Sequence, residues 1–169
     1  MIRRWRGRGT SLAIVLALGI VAAAGSSSEG PASGRWQLVV RDVRDEVVLR
    51  APLPDGAFAI GYRNSIYRSL AREEFEVTAE GRLTLTRLAA DEVAVLGEYY
   101  SADRPQPTGG AGLRWHAVPA RPLTVHELPI AATEHGRRTL IVPGRDPVPL
   151  WELAHEGSPV IRIGAEPAR

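Results

Sequence analysis

The chain has no cysteine and no lysine, only ten aromatic residues in 169, and no uncharged apolar run longer than 13 residues. Without cysteine there can be no disulfide staple and no lipid-anchored cysteine, so stability must come from burial alone. The absence of lysine makes all 21 basic residues arginine, and these are interspersed with 19 acids. A phosphate-binding surface needs net or clustered positive charge, so nucleic acid is not an expected partner. The all-arginine usage reads as genome composition rather than binding chemistry. The longest apolar run, Leu12 to Ala24, falls short of the roughly 20 residues that span a bilayer as a helix.

That run has a context. Arg3, Arg4, Arg6 and Arg8 precede it, Ala22-Ala23-Ala24 closes it with a small-residue A-x-A site, and a polar "GSSSEGPASG" stretch follows. This is the three-part layout of a secretory signal peptide. Residues 1–24 are expected to be a signal peptide or, if uncleaved, a membrane anchor, and residues 25–34 a flexible linker. Four of the arginines and none of the acids lie in the first 24 residues, so a chain starting at Gly25 carries 17 arginines against 19 acids. The basic character of the whole chain therefore belongs to its leader. The remaining 35–165 is long enough for one ordinary core.

Short strand patterns dominate that region. Trp36 to Val40 and Val47 to Leu49 are rich in strand formers, and Pro54-Asp55-Gly56 is turn chemistry. Phe58, Ile60 and Tyr62 alternate with small residues. Residues 74–86 form the clearest hairpin: Phe75 and Val77 face inward, "AEG" turns the chain, and Leu83 and Leu85 face inward again. Residues 88–101 fit strand or helix, with Val93 and Val95 favouring strand. Composition makes 103–112 a loop. A second hairpin is expected from 123–132 and 138–142 around Glu134-His135-Gly136, with Pro129 marking an edge strand. Leu150 to Ala154 fits one helical turn, Pro159 to Ile163 a last strand, and "GAEPAR" a loose tail. Many turns and almost no helical periodicity predict an all-β fold, an antiparallel sandwich or small open barrel, preceded by the N-terminal signal or anchor helix.

Chemistry-bearing motifs are sparse. His116, His126, His135 and His155 lie 10, 9 and 20 residues apart, with no H-x-H, H-E-x-x-H or cysteine partner, so no metal is expected. There is no G-x-S-x-G, and Ser65 has no base at a motif spacing. Adjacent acids such as Glu73-Glu74 and Asp91-Glu92 point to opposite faces of a strand and make poor acid–base pairs. Gly109-Gly110-Ala111-Gly112 resembles an anion nest but lacks a following Lys, Ser or Thr. No catalytic residue and no cofactor is assigned.

One dense polar cluster stands out, "GYRNSIYRSLAREEF" at 61–75. It admits two readings. Asn64 and Ser65 can tie the backbone of a turn while arginines pair with Glu73 or Glu74. Alternatively, Arg63 or Arg68 can hold a carboxylate in a bidentate fork, since sheet proteins often bind at strand ends. Tyr62, Arg63, Asn64, Ser65, Tyr67, Arg68 and Glu73 are the candidate ligand- or partner-binding residues.

The stretch "APLPDGAFAIGYRNSIYRSLAREEFEV" followed by "GRLTLTRL" resembles the bacterial family called domain of unknown function 1850. Its pattern is a turn, a strand, an aromatic-x-His/Asn-Ser-hydrophobic motif, and an acid before the next strand. Tyr62, Asn64, Ser65, Ile66, Glu73 and Phe75 occupy those places, with Asn64 standing where many members have His. The resemblance covers about residues 50–100. It implies a small, exported, extracytoplasmic β-rich protein, often encoded beside tripartite transporters that use a TAXI-type solute receptor, with no assigned activity. The expectation is a non-enzymatic accessory protein in solute uptake, its partners being such transporter components, with membrane contact through 1–24 if that segment is retained. A small anionic-ligand binding module and a hydrolase centred on Ser65 are the alternatives.

Overall fold

The computed structural model describes residues 35–169 except 101, 103, 111 and 156; the expected signal segment 1–24 and linker 25–34 lie outside the described residues. The strands are β1 (Trp36–Arg41), β2 (Val47–Leu53), β3 (Ala57–Arg63), β4 (Leu70–Val77), β5 (Leu83–Ala90), β6 (Gln106–Pro107), β7 (Trp115–Ala117), β8 (Thr124–Val125), β9 (Glu127–Ala131), β10 (Thr139–Ile141), β11 (Val148–Pro149) and β12 (Val160–Pro167). Among the described residues one helix, α1 (Val93–Tyr100), and one 3-10 turn (Leu150–Glu152) interrupt them. The fold is all-β. One antiparallel sheet has the order β2-β1-β12-β9, the other β11-β10-β3-β4-β5-β7-β6, with β8 on the far part of β5. Both sheets feed one buried cluster: Leu38, Val40, Ile161 and Ile163 from the first, Ile60, Phe75, Leu83 and Leu88 from the second. Among the described residues no helix is long and apolar enough to cross a membrane.

Local chemistry explains the crossings. Gly56 adopts φ +65 after Pro54-Asp55, and its carbonyl accepts from Val77 N at 2.8 Å, so this turn hands the chain from one sheet to the other. The hairpin β4–β5 forms around Thr78 to Arg82 as its alternation requires. A bulge explains its upper half. Glu74 pairs with Arg87 but Phe75 with Leu85, leaving Thr86 extra. The inward parity therefore switches from Leu83 and Leu85 to Leu88 and Ala90, all buried. Gly81 at φ +78 lies directly under the Trp36 ring.

Four expectations are corrected. Residues 93–100 are helix rather than strand. Ala90 is the last residue of β5 to find ladder partners, Ala71 on one side and Trp115 on the other, and beyond it the helix satisfies its backbone internally. Val95 and Leu96 are fully buried and pin α1 to the core. The expected second hairpin does not form, because β9 joins β12 while β10 joins β3. The turn at 133–137 is a crossing between sheets, closed by Arg137 N to Thr133 O at 3.1 Å with Arg137 at φ +46. The loop 103–112 contains β6, which pairs with β7. The tail is not loose: β12 runs to Pro167 against Trp36, and Glu166 accepts from Arg41 at 3.0 Å and Arg50 at 2.8 Å. Pro129 does sit on an edge strand, β9, and the helical turn at 150 is present.

The pairing registers define two poles. Trp36, Leu53, Ala57, Leu83 and Pro167 lie at the pole where the described chain begins. Arg63, Leu70, Ala90, Thr139 and Val160 lie at the opposite, distal pole.

Candidate functional site

The distal pole carries the polar cluster. Tyr62 ends the buried alternation of β3, and Arg63 turns outward from it. Asn64 is 3% exposed, and its Oδ1 accepts from Ile66 N at 3.0 Å and Tyr67 N at 2.9 Å. Its backbone N donates to Ser69 O at 2.9 Å. One side chain thus closes the loop 64–69, satisfying two amides that a tight turn would otherwise leave unpaired. Arg68 completes the turn at φ +51, and its carbonyl accepts from Arg63 Nε at 3.0 Å. The structural reading of Asn64 therefore holds: its acceptor is committed to the loop.

A second loop meets the first. Arg63 N donates to Gly136 O at 2.9 Å, joining 64–69 to the crossing turn at 133–137. Between them lies a cleft of about 540 Å3 lined by Arg63, Asn64, Ser65 and Arg68 on one side and Glu134, His135 and Arg137 on the other. An adjoining recess of about 220 Å3 reaches Tyr62 and Arg138. The Arg138 guanidinium lies 5.0 Å from the Tyr62 ring centroid, a cation–π contact that fixes the recess wall.

The electrostatics are one-sided. Ion pairs join Arg41 and Arg50 to Glu166, Arg72 to Glu74, Arg114 to Glu92, and Arg162 to Asp45 and Glu127. Among the described residues, none of Arg63, Arg68, Arg137 and Arg138 is in an ion pair. Among the described residues that line the cleft, three are arginines and one, Glu134, is an acid. Guanidinium forks match carboxylate and phosphate oxygens bidentately.

Five of the seven residues expected at the site gather here: Arg63, Asn64, Ser65 and Arg68 in the cleft and Tyr62 in the recess. Two do not. Tyr67 turns to α1, where its hydroxyl donates to Glu98 Oε2 at 2.8 Å. Glu73 lies further along β4 opposite Ile60 and Leu88, while Arg72 pairs with Glu74 at 2.7 Å. The sequence reading missed Glu134, His135, Arg137 and Arg138, whose signal was a basic pair directly after a turn. Among the described residues no hydrogen bond joins Ser65 to an imidazole, and no three potential metal ligands gather. Comparison with family models, curated proteins and solved structures finds no match.

Proposed function

We propose that this protein is an exported, non-enzymatic accessory domain that binds a small anion in the arginine cleft at its distal pole. The observation that carries the reading is the charge of that cleft: Arg63, Arg68 and Arg137 line it, with Glu134 the one acid among the described residues that line it. Two chain segments about 70 residues apart supply these arginines, and the Arg63–Gly136 backbone bond holds the segments together. Asn64 makes the first segment rigid, so the guanidinium groups are presented without ordering a loop on binding. The fold is read as a sandwich whose connecting loops form the site, with the leader at 1–24 directing export. The resemblance to the domain of unknown function 1850 family supports a place beside TAXI-type transporter components.

The test is calorimetric titration of the purified full chain with succinate and with phosphate. A charge-assisted bidentate bond contributes about 1.5–3 kcal/mol. Arg137→Ala is therefore expected to weaken binding at least about tenfold. Unchanged affinity in both Arg63→Ala and Arg137→Ala would remove the cleft as the anion site.

A further inference from the structure

Among the described residues the distal pole also exposes most of the large apolar side chains that face water. Nine large hydrophobic side chains of the described residues are exposed, and seven lie at this pole. Ile66, Tyr67, Leu70 and Val93 are on the side of the second sheet, exposed by 67%, 36%, 57% and 42%. Val43, Val47 and Val160 are on the side of the first. Scattered single hydrophobics need no explanation, but concentration at one end of a domain marks an interaction surface.

The apolar group nearest the cleft is continuous with it. Leu70 stands opposite Arg63 in the β3–β4 register, so both side chains leave the same outer face. Ile66 and Tyr67 sit in the loop that carries Arg68. Asp91 N donates to Leu70 O at 3.0 Å, bringing the start of α1 and Val93 alongside. Asn64 holds the Ile66 backbone amide, and the Ile66 side chain stands in solvent.

Three occupants suit an apolar surface beside arginines, and charge and shape separate them. The chain's own leader is basic at Arg3, Arg4, Arg6 and Arg8 and would meet like charge. A bilayer presents a flat face, whereas the arginines line a cleft between two loops. An acidic polypeptide segment meets the arginines with opposite charge and can enter the cleft. Resting on the reading of the cleft as an anion site, we infer that the distal pole docks an acidic polypeptide segment of a partner protein. Its carboxylates enter the Arg63–Arg68–Arg137 cleft and its large apolar side chains cover Ile66, Leu70 and Val93.

The test uses fluorescence anisotropy of the full chain with labelled, end-blocked peptides: one alternating Glu and Leu, one alternating Glu and Ser, and one alternating Arg and Leu. The Glu–Leu peptide is expected to bind at least about tenfold more tightly than either other. Ile66→Ser with Leu70→Ser should erase that preference while leaving succinate titration unchanged. Both positions are exposed, and an unaltered thermal melt will confirm that the double variant folds. Equal binding of the Glu–Leu and Glu–Ser peptides, or a preference that survives the double substitution, would overturn the docking surface and leave the anion cleft standing. Adsorption to phosphatidylglycerol vesicles that depends on Ile66 and Leu70 would overturn it in favour of a lipid surface. Arginine-independent succinate binding would instead remove the cleft.

Discussion

Replacing Asn64 by alanine separates what holds the distal loop from what the loop presents. The side chain is 3% exposed and accepts two backbone hydrogen bonds, from Ile66 N and Tyr67 N. Each such bond contributes about 1 kcal/mol net. The amides, left without their partner, add a desolvation penalty unless water replaces the amide oxygen. The expected loss is about 2 kcal/mol, close to the upper end for a capping asparagine. For a domain of this size that is a fall in Tm of roughly 6–10 °C. The assay is thermal unfolding followed by circular dichroism, with succinate titration in parallel. Asn64→Asp keeps the acceptor and should retain most of the stability at pH 7. It also places a negative charge beside Arg63 and Arg68, so anion affinity should fall in the aspartate variant although the loop is intact. A Tm within about 1 °C of the parent for Asn64→Ala would refute the assignment of the loop's rigidity to this residue.

Three further substitutions and a pH profile test the frame around the site. Gly81→Ala places a Cβ 2.8 Å from the Trp36 ring at a backbone φ of +78. The left-handed conformation alone costs about 1–2 kcal/mol for alanine, and the indole, packed in the core, cannot move aside freely. A loss above about 2 kcal/mol is expected in urea denaturation, while Gly97→Ala, in open space on α1, should be neutral or stabilising. The hydrogen bond from Arg50, with help from Arg41, holds the Glu166 carboxyl below its ordinary range. A depressed carboxylate stabilises the fold above its unfolded value and loses that contribution as pH falls through the lower, folded value. Denaturant midpoints should therefore drop below about pH 4.5, and Glu166→Gln should flatten that part of the profile. The effect is small because the side chain is a third exposed and solvent screens the pair.

What the sequence made legible is local. The β4–β5 hairpin could be read because alternation, turn chemistry and pairing all fall within 21 residues. Its bulge could not, since Thr86 differs in no obvious way from Thr84; the switch of parity is recorded only in Leu88 and Ala90. The partition between sheets was illegible for a different reason. Strands β9 and β10 flank a turn that suits a hairpin, and what separates them is the pull of distant partners, Ile161 and Ile163 on one side and Ile60 on the other. The tail was misread because Gly164 and Ala165 carry no strand preference of their own. Pairing with β1 and the Arg41–Glu166–Arg50 ion pairs supply it.

The same distinction governs the site. The half on residues 62–68 was visible because polar side chains crowd the end of an apolar alternation, which a solvated loop does not require. Its other half, at 134–138, looked like an ordinary turn, and nothing in a one-dimensional reading sets Arg137 beside Arg63. Their meeting follows from the sheet crossing at 133–137, the very feature that the hairpin reading replaced. Had β9 and β10 paired, the β10 strand would have been drawn to the first sheet. Arg137 would then have left the neighbourhood of Arg63. The crossing that brings β10 against β3 is thus what adds Arg137 to the two exposed arginines at the end of β3, and the charge of the cleft is a consequence of the topology as much as of composition.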